Sequence, residues 1–174
     1  MVLRNLLWAR LQRSEADAFE SEALGLDLLS MSLRSMRADI SSRRPSALAR
    51  QRHVVERVKE AVGAIPSEKW SVAGLAKLAG LSPFHLCHVF REIVGTSIYD
   101  YVLQERLAHS LESVLDGGDL TAIALDAGFA SHSHFTARFR DFFGFTPTAL
   151  RRAATARHFT EVRKITTARF WELA

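Results

Sequence analysis

A sixteen-residue pattern of this chain recurs after an interval of roughly 49 positions, and that duplication restricts the fold more than any other feature. Residues 82–97 read SPFHLCHVFREIVGTS and residues 131–146 read SHSHFTARFRDFFGFT. Ser82 pairs with Ser131, His85 with His134, Phe90 with Phe139, Arg91 with Arg140 and Gly95 with Gly144. The segments just ahead also correspond, LAKLAGL at 75–81 against IALDAGF at 123–129. Each copy therefore holds a short apolar-periodic segment, a glycine and a second apolar-periodic segment, the order of a helix, a tight turn and a helix. Two copies of one small unit point to two equivalent grips on a partner that itself repeats. Duplex DNA, with one major groove per turn, is such a partner.

The remaining sequence also reads as helix, so the expected fold class is all-α. Residues 1–41 hold two apolar stretches, Leu3/Leu6/Leu7/Leu11 and Leu24/Leu28/Leu29/Met31, on either side of SEADAFESE. Their spacing of three and four predicts two short amphipathic helices. SSRRPS at 41–46 is a polar linker. A helix follows over about 46–64, with Val55, Val58, Val62 and Ile65 as its apolar stripe and Pro66 as its stop. Ser71 caps a helix over 72–79, Gly80 suits the left-handed turn after it, and Ser82-Pro83 is an N-cap followed by proline at the first helical position. That helix runs over 83–94 and stops at Gly95. A linking helix starts after Ser97 and is broken by Gly117-Gly118. Shorter helices follow over 120–127 and 131–143, and Thr146-Pro147 restarts the chain as a helix to about His158.

Placing the buried faces fixes the outward ones at 100° per residue. Leu86, Phe90 and Ile93 form the inner stripe of the 83–94 helix, and Phe135, Phe139 and Phe142 that of the 131–143 helix. The outer faces then carry Phe84, Cys87, His88 and Arg91 in the first unit. In the second they carry Ser133, Thr136, Ala137 and Arg140, with His132 at the helix tip. A recognition helix aims side chains so placed at base edges and phosphates.

Residues from about 50 to 152 resemble the C-terminal DNA-binding domain of AraC/XylS-type transcriptional regulators. The most specific stretch is IALDAGFASHSHFTARFRDFFGFTPTALR at 123–151, with Ile-Ala, Gly-Phe, Ser-x-Phe, Phe-Arg, Gly-x-Thr-Pro and a final Arg in order. LAKLAGLSPFHLCHVFREIVGTS is similar in the first unit, and Arg106 stands at the arginine position of the linking helix. The resemblance implies a seven-helix domain with two homeodomain-like helix-turn-helix subdomains joined by that linking helix, preceded by the two short helices. It implies a transcriptional regulator that inserts helices 83–94 and 131–143 into adjacent major grooves, about one turn apart. Pro83, Phe84, Cys87 and His88 fall at the family's base-facing positions in the first unit, and His132, Ser133, Thr136 and Ala137 in the second. Ser82, Arg91, Arg106, Arg140, Thr146 and Arg151 fall at phosphate contacts. The family often has arginine where this chain has His88 and Ala137. Neither of these makes an arginine-type bidentate contact to guanine, so thymine methyls, water bridges and DNA shape are expected to carry more of the readout.

On this basis the domains are an N-terminal helical segment at 1–41, a DNA-binding domain at 42–158 and a basic tail at 159–174. Within the domain the first helix-turn-helix covers 71–95, the linking helix 97–116 and the second helix-turn-helix 119–144. Family members usually carry a sensory and dimerisation domain ahead of this one. Forty residues do not enclose a ligand pocket, so no small-molecule effector is expected here. The segment 1–41 reads as the helical end of such a domain in a fragment of a larger effector-responsive regulator, as part of a short stand-alone regulator, or as an arm for a homodimer. It also reads as extra structure packed on the core.

Charge agrees with nucleic acid without deciding for it. The net charge is +4, and residues 1–41 carry five arginines against six acids, while 151–174 carry six basic and two acidic groups. That basic end touches DNA phosphates or RNA polymerase, or is a solvated tail. No apolar run approaches the ~20 residues needed to cross a bilayer, and the N-terminal stretch lacks a signal-peptide pattern, so a cytoplasmic protein with no membrane partner is expected. A single cysteine excludes an internal disulfide. His85 and His134 sit at matched positions beside the core and read as structural histidines, and no acidic ligand joins them at metal-binding spacing, so neither metal nor cofactor is expected. No paired carboxylates, phosphate-cradling glycine loop or Ser-His-Asp arrangement is present, and Cys87 has no base to activate it, which argues against an enzyme. A helical protein–protein adaptor is the alternative.

Overall fold

The computed structural model describes residues 18–36 and 45–155. Among them are eight α-helices and no strand: α1 Ala18–Met36, α2 Pro45–Ala64, α3 Val72–Ala79, α4 Pro83–Val94, α5 Ile98–Leu115, α6 Leu120–Asp126, α7 His132–Phe143 and α8 Pro147–Thr155. Helices α2 to α8 supply the seven-helix domain, and α1 is the second of the two N-terminal helices. The other one, the linker residues before Pro45 and the tail 159–174 lie outside the described residues. The residues of SEADAFESE from Ala18 onward are helical and belong to α1. No helix among the described residues is long and apolar enough to cross a membrane.

The helix boundaries fall where the sequence supplies caps. Ser71 Oγ accepts from Gly74 N–H at 3.0 Å, Ser82 Oγ from His85 N–H at 3.2 Å and Ser131 Oγ from His134 N–H at 3.1 Å. Each satisfies one of the amides that a helix leaves unpaired at its start. Asp119 caps α6 in the same way, accepting from Ala122 N–H at 2.9 Å. Ser97 Oγ accepts from Asp100 N–H at 3.0 Å and donates to the Asp100 carboxylate at 2.7 Å, which fixes the start of α5.

The chain divides into two units. The first runs to Ile65 and resumes over Lys69–Val102, and the second combines Pro66–Glu68 with the residues from Leu103 onward. In the first unit α2, α3 and α4 pack on one another around Val58, Val62, Leu75, Leu86 and Phe90, all fully buried. Ile65, expected on the buried stripe, is 53% exposed. Helix α2 ends at Ala64, so Ile65 leaves the helical register that carries Val58 and Val62 inward. Ile93 is half-buried rather than part of the core. The N-terminal end of α5 adds Ile98 and Val102, and Tyr101 meets Phe90 edge-on at 5.4 Å.

The second unit is held by an aromatic chain. Phe129 lies 5.1 Å from Phe135, Phe135 lies 5.5 Å from Phe139, and Phe139 lies 4.5 Å from Phe143. Burying such side chains contributes about 1.5–3 kcal/mol each. The last turn of α7 buries Phe143 rather than Phe142, which is half-buried. Phe143 extends the Phe135/Phe139 stripe at the next i+4 step and stacks on Phe145, with 6.1 Å between ring centroids.

Candidate nucleic-acid interface

Helices α4 and α7 are built alike. Each opens on a serine N-cap and closes on a glycine with φ near +85°, Gly95 and Gly144, whose N–H donates to Arg91 O at 2.9 Å and to Arg140 O at 2.8 Å. Each follows a turn with a left-handed glycine, Gly80 at φ +67° and Gly128 at φ +82°. Ala76 and Ala124 are buried on the preceding helices, small enough for close crossings there.

In the second unit the outer face of α7 is open. His132, Ser133 and Arg140 are exposed, and Thr136 and Ala137 are half-buried between them. His132 Nε2 and Thr136 Oγ1 lie 3.4 Å apart along the helix. Arg138 turns its Nε–H toward His134 Nε2 at 3.3 Å, and His134 is buried with its ring 5.6 Å from Phe129. His134 is therefore structural, as expected, but its repeat mate His85 is exposed. Leu81 stands in the first unit where Phe129 stands in the second, so His85 has no such ring to pack on.

In the first unit the corresponding face is partly covered, at Cys87 and Arg91. Helix α1 packs against α4 and α3. Cys87 is only 1% exposed, so it is a core residue and not the outward base-facing one expected. Periodicity within α4 alone gives no sign that a helix some sixty residues upstream covers this side. Burial, with the carboxylates Asp27 and Glu22 nearby, pushes the Cys87 thiol up to about 12, so it is protonated and unreactive at neutral pH. Arg91, expected at a phosphate, gives its guanidinium to Asp27 of α1, Nη2 to Oδ2 at 2.9 Å. Pro83, Phe84 and His88 are half-buried, and His88 Nε2 lies 3.7 Å from the Glu92 carboxylate.

Two further arginines turn inward. Arg106 is buried and donates from Nε to Pro66 O and from Nη2 to Glu68 O, both at 2.9 Å. Arg151 donates from Nε to Val114 O at 2.8 Å and from Nη2 to Gly118 O. Both were expected at phosphates, and both instead bind carbonyls at helix ends or loops, where the backbone leaves acceptors unpaired. Ser82 and Thr146 spend their hydroxyls as acceptors for the amides of His85 and Ala149, which makes them caps first.

Sequence reasoning missed Asp27 and Glu22. The inner side of α1 is Phe19, Glu20, Ala23, Leu24, Asp27 and Ser30, all buried, whereas Leu29 is 57% exposed. A search for leucines selects the wrong face. The signal is the spacing of three and four that runs from Phe19 through Ala23 to Asp27 and Ser30 once acids are admitted to a buried stripe. Asp27 is buried, and desolvation pushes its carboxyl up to about 6 against the opposing pull of Arg91, with Asp100 adding to the rise. Among the described residues no group of three metal-ligating side chains comes together.

A family model described as a helix-turn-helix domain matches residues 75–153. The HTH-type transcriptional regulator GlxA of Rhizobium meliloti (strain 1021) is 39% identical over 79 residues, which are 45% of this chain and 24% of that protein. The probable transcription factor PqrA of Proteus vulgaris is 32% identical over 82 residues, 47% of this chain and 67% of the relative. The crystal structure of a probable AraC family transcriptional regulator from Rhodopseudomonas palustris CGA009 superposes with a TM-score of 0.55 at 28% identity, covering 59% of this chain and 97% of that one. The chain thus spans a quarter of the Rhizobium regulator and two thirds of the Proteus one. With the duplicated helix-turn-helix units in place, the chain belongs to the AraC/XylS-type family of helix-turn-helix transcriptional regulators.

Proposed function

We propose that this chain is a sequence-specific, double-stranded-DNA-binding transcriptional regulator without catalysis, acting in the cytoplasm, in which α4 and α7 each enter a major groove on successive turns of one duplex. The observation that carries this is the open outer face of α7. It presents His132, Ser133, Thr136, Ala137 and the exposed Arg140 on a helix pinned at both ends by its serine cap and its glycine stop. Base edges are met by His132, Ser133, Thr136 and the Ala137 methyl, and a phosphate by Arg140. The same roles fall to Pro83, Phe84 and His88, with Arg91 on a phosphate, when α4 is accessible. Ser82 and Thr146, at helix starts, lie where phosphate oxygens approach helix N-termini. Arg106 and Arg151 act by holding the second unit together. RNA polymerase is the partner through which such a regulator acts. Residues 42–158 form the reading domain, residues 1–41 a regulatory or dimerising segment and 159–174 a basic tail.

Selection of bound duplexes from a random pool tests this reading. The expected product is a bipartite site with half-sites about 10 base pairs apart. Enrichment of no sequence, or of a single short half-site that survives disruption of α7, contradicts it.

A further inference from the structure

In the first unit the side of α4 that matches the open side of α7 is partly occupied. Thr136 is half-buried and Arg140 is exposed, but their repeat mates Cys87 and Arg91 lie beneath α1. The occupant makes two acidic contacts. Asp27 Oδ2 accepts from Arg91 Nη2 at 2.9 Å. Glu22 Oε2 accepts from Val72 N–H at 3.1 Å, at the first residue of α3, the helix end where orphan amides and the helix dipole favour an anion. Two carboxylates of one helix thus sit on a guanidinium and on a helix N-terminus, which are the two kinds of group that hold DNA phosphates. The cover is also built to come off. Asp27 Oδ1 is buried with no hydrogen-bond partner among the described residues, a cost that the docked state alone bears. Glu20, also buried, accepts from Tyr99 Oη–H at 3.1 Å.

We infer that α1 is an internal stand-in for DNA: docked on α3 and α4, it masks the first recognition helix with carboxylates at phosphate positions, and duplex binding through the first unit requires its release. This rests on the DNA-binding reading proposed above. The ligand that competes with α1 is a phosphodiester backbone, so the two states exclude each other and couple negatively.

Cys87, the chain's one cysteine, reports the docked state without DNA. The experiment measures two quantities on the full chain and on variants: the rate at which an aromatic disulfide reagent labels Cys87 in the absence of DNA, and the affinity for a random-sequence duplex at fixed salt. Leu24→Asp opens the buried side of α1, and Asp27→Lys sets a like charge against Arg91. Leu29→Asp, on the exposed side of α1, controls for the helix, and Asp126→Lys, exposed on α6, controls for the change of net charge. Far-UV circular dichroism confirms that each variant is folded, and Asp27→Lys keeps the test alive if Leu24→Asp is not. Expected are faster labelling than in the parent chain and duplex binding about tenfold tighter than in the matching control, Leu29→Asp for Leu24→Asp and Asp126→Lys for Asp27→Lys. Faster labelling with unchanged or weaker affinity overturns the masking role while leaving the DNA-binding reading intact. Labelling that no α1 variant alters shows that α1 is not the cover and overturns the inference. Absence of duplex binding in every variant overturns both.

Discussion

Arg106 and Arg140 are chemically the same and stand in opposite situations. Arg106 is buried and satisfies two carbonyls, at Pro66 and Glu68, whereas Arg140 is exposed on the outer face of α7. Arg106→Ala leaves two acceptors without their donor and should destabilise the second unit by about 2–3 kcal/mol, as read from urea unfolding. Arg140→Ala should leave that midpoint within about 0.5 kcal/mol and weaken binding to all duplexes. An equal loss of stability from both changes would remove the distinction. Gly128 and Gly80 make a similar contrast. A Cβ on Gly128 would lie 2.9 Å from Ser67 O and 3.1 Å from the Arg106 guanidinium, at φ +82°, whereas a Cβ on Gly80 meets nothing within 4 Å. Gly80→Ala should cost about 1–2 kcal/mol for the left-handed backbone alone, and Gly128→Ala distinctly more, because a backbone carbonyl must also move. Equal midpoints in thermal unfolding would contradict this.

At the scale of the element, most of the helices could be read from the sequence because their ends are chemical. Ser71, Ser82 and Ser131 as caps, Pro83 at a first turn, and Gly80, Gly95 and Gly144 as stops act over three or four residues, a range that a single strand of sequence displays. The same locality explains what was not legible. Which side of α4 faces solvent depends on α1, and no pattern inside α4 records a helix arriving from residues 18–36. Cys87 and Arg91 depart from the expected face for that reason, whereas α7, with no such visitor among the described residues, keeps its outer face open. Leu29 is exposed, while Asp27 is buried beside Arg91, a partner 64 positions away that no local pattern reveals. Asp27 also gives the docked helix a pH signature. Its carboxyl, facing Arg91 and Cys87 of α4 and Asp100 of α5, titrates at about 6 in the folded chain against an ordinary 3.8. The folded state therefore holds this proton more tightly. The contribution is fully present below the ordinary value and is lost as pH rises through about 6. Relative to Asp27→Asn, the parent chain should lose on the order of 2–3 kcal/mol between pH 4 and pH 6.5. A constant or opposite difference between the two unfolding curves would show that the carboxyl is not held in this environment.

At the scale of the whole molecule the net charge of +4 is modest, so a general attraction to polyanions is not the expected source of affinity. Affinity must come from placed groups, of which the second unit keeps one set open and the first holds its set against α1. Such a chain should bind duplex through a small number of phosphate contacts, each adding about −0.9 to the slope of log affinity against log salt. The most direct test is that slope, measured on one duplex for the parent chain and for Arg140→Ala. The account predicts binding that falls steeply with salt, and a slope shallower by roughly one contact in the variant on every sequence tried. A slope near zero, or one that Arg140→Ala leaves unchanged, would mean that the open face of α7 does not meet a phosphate backbone.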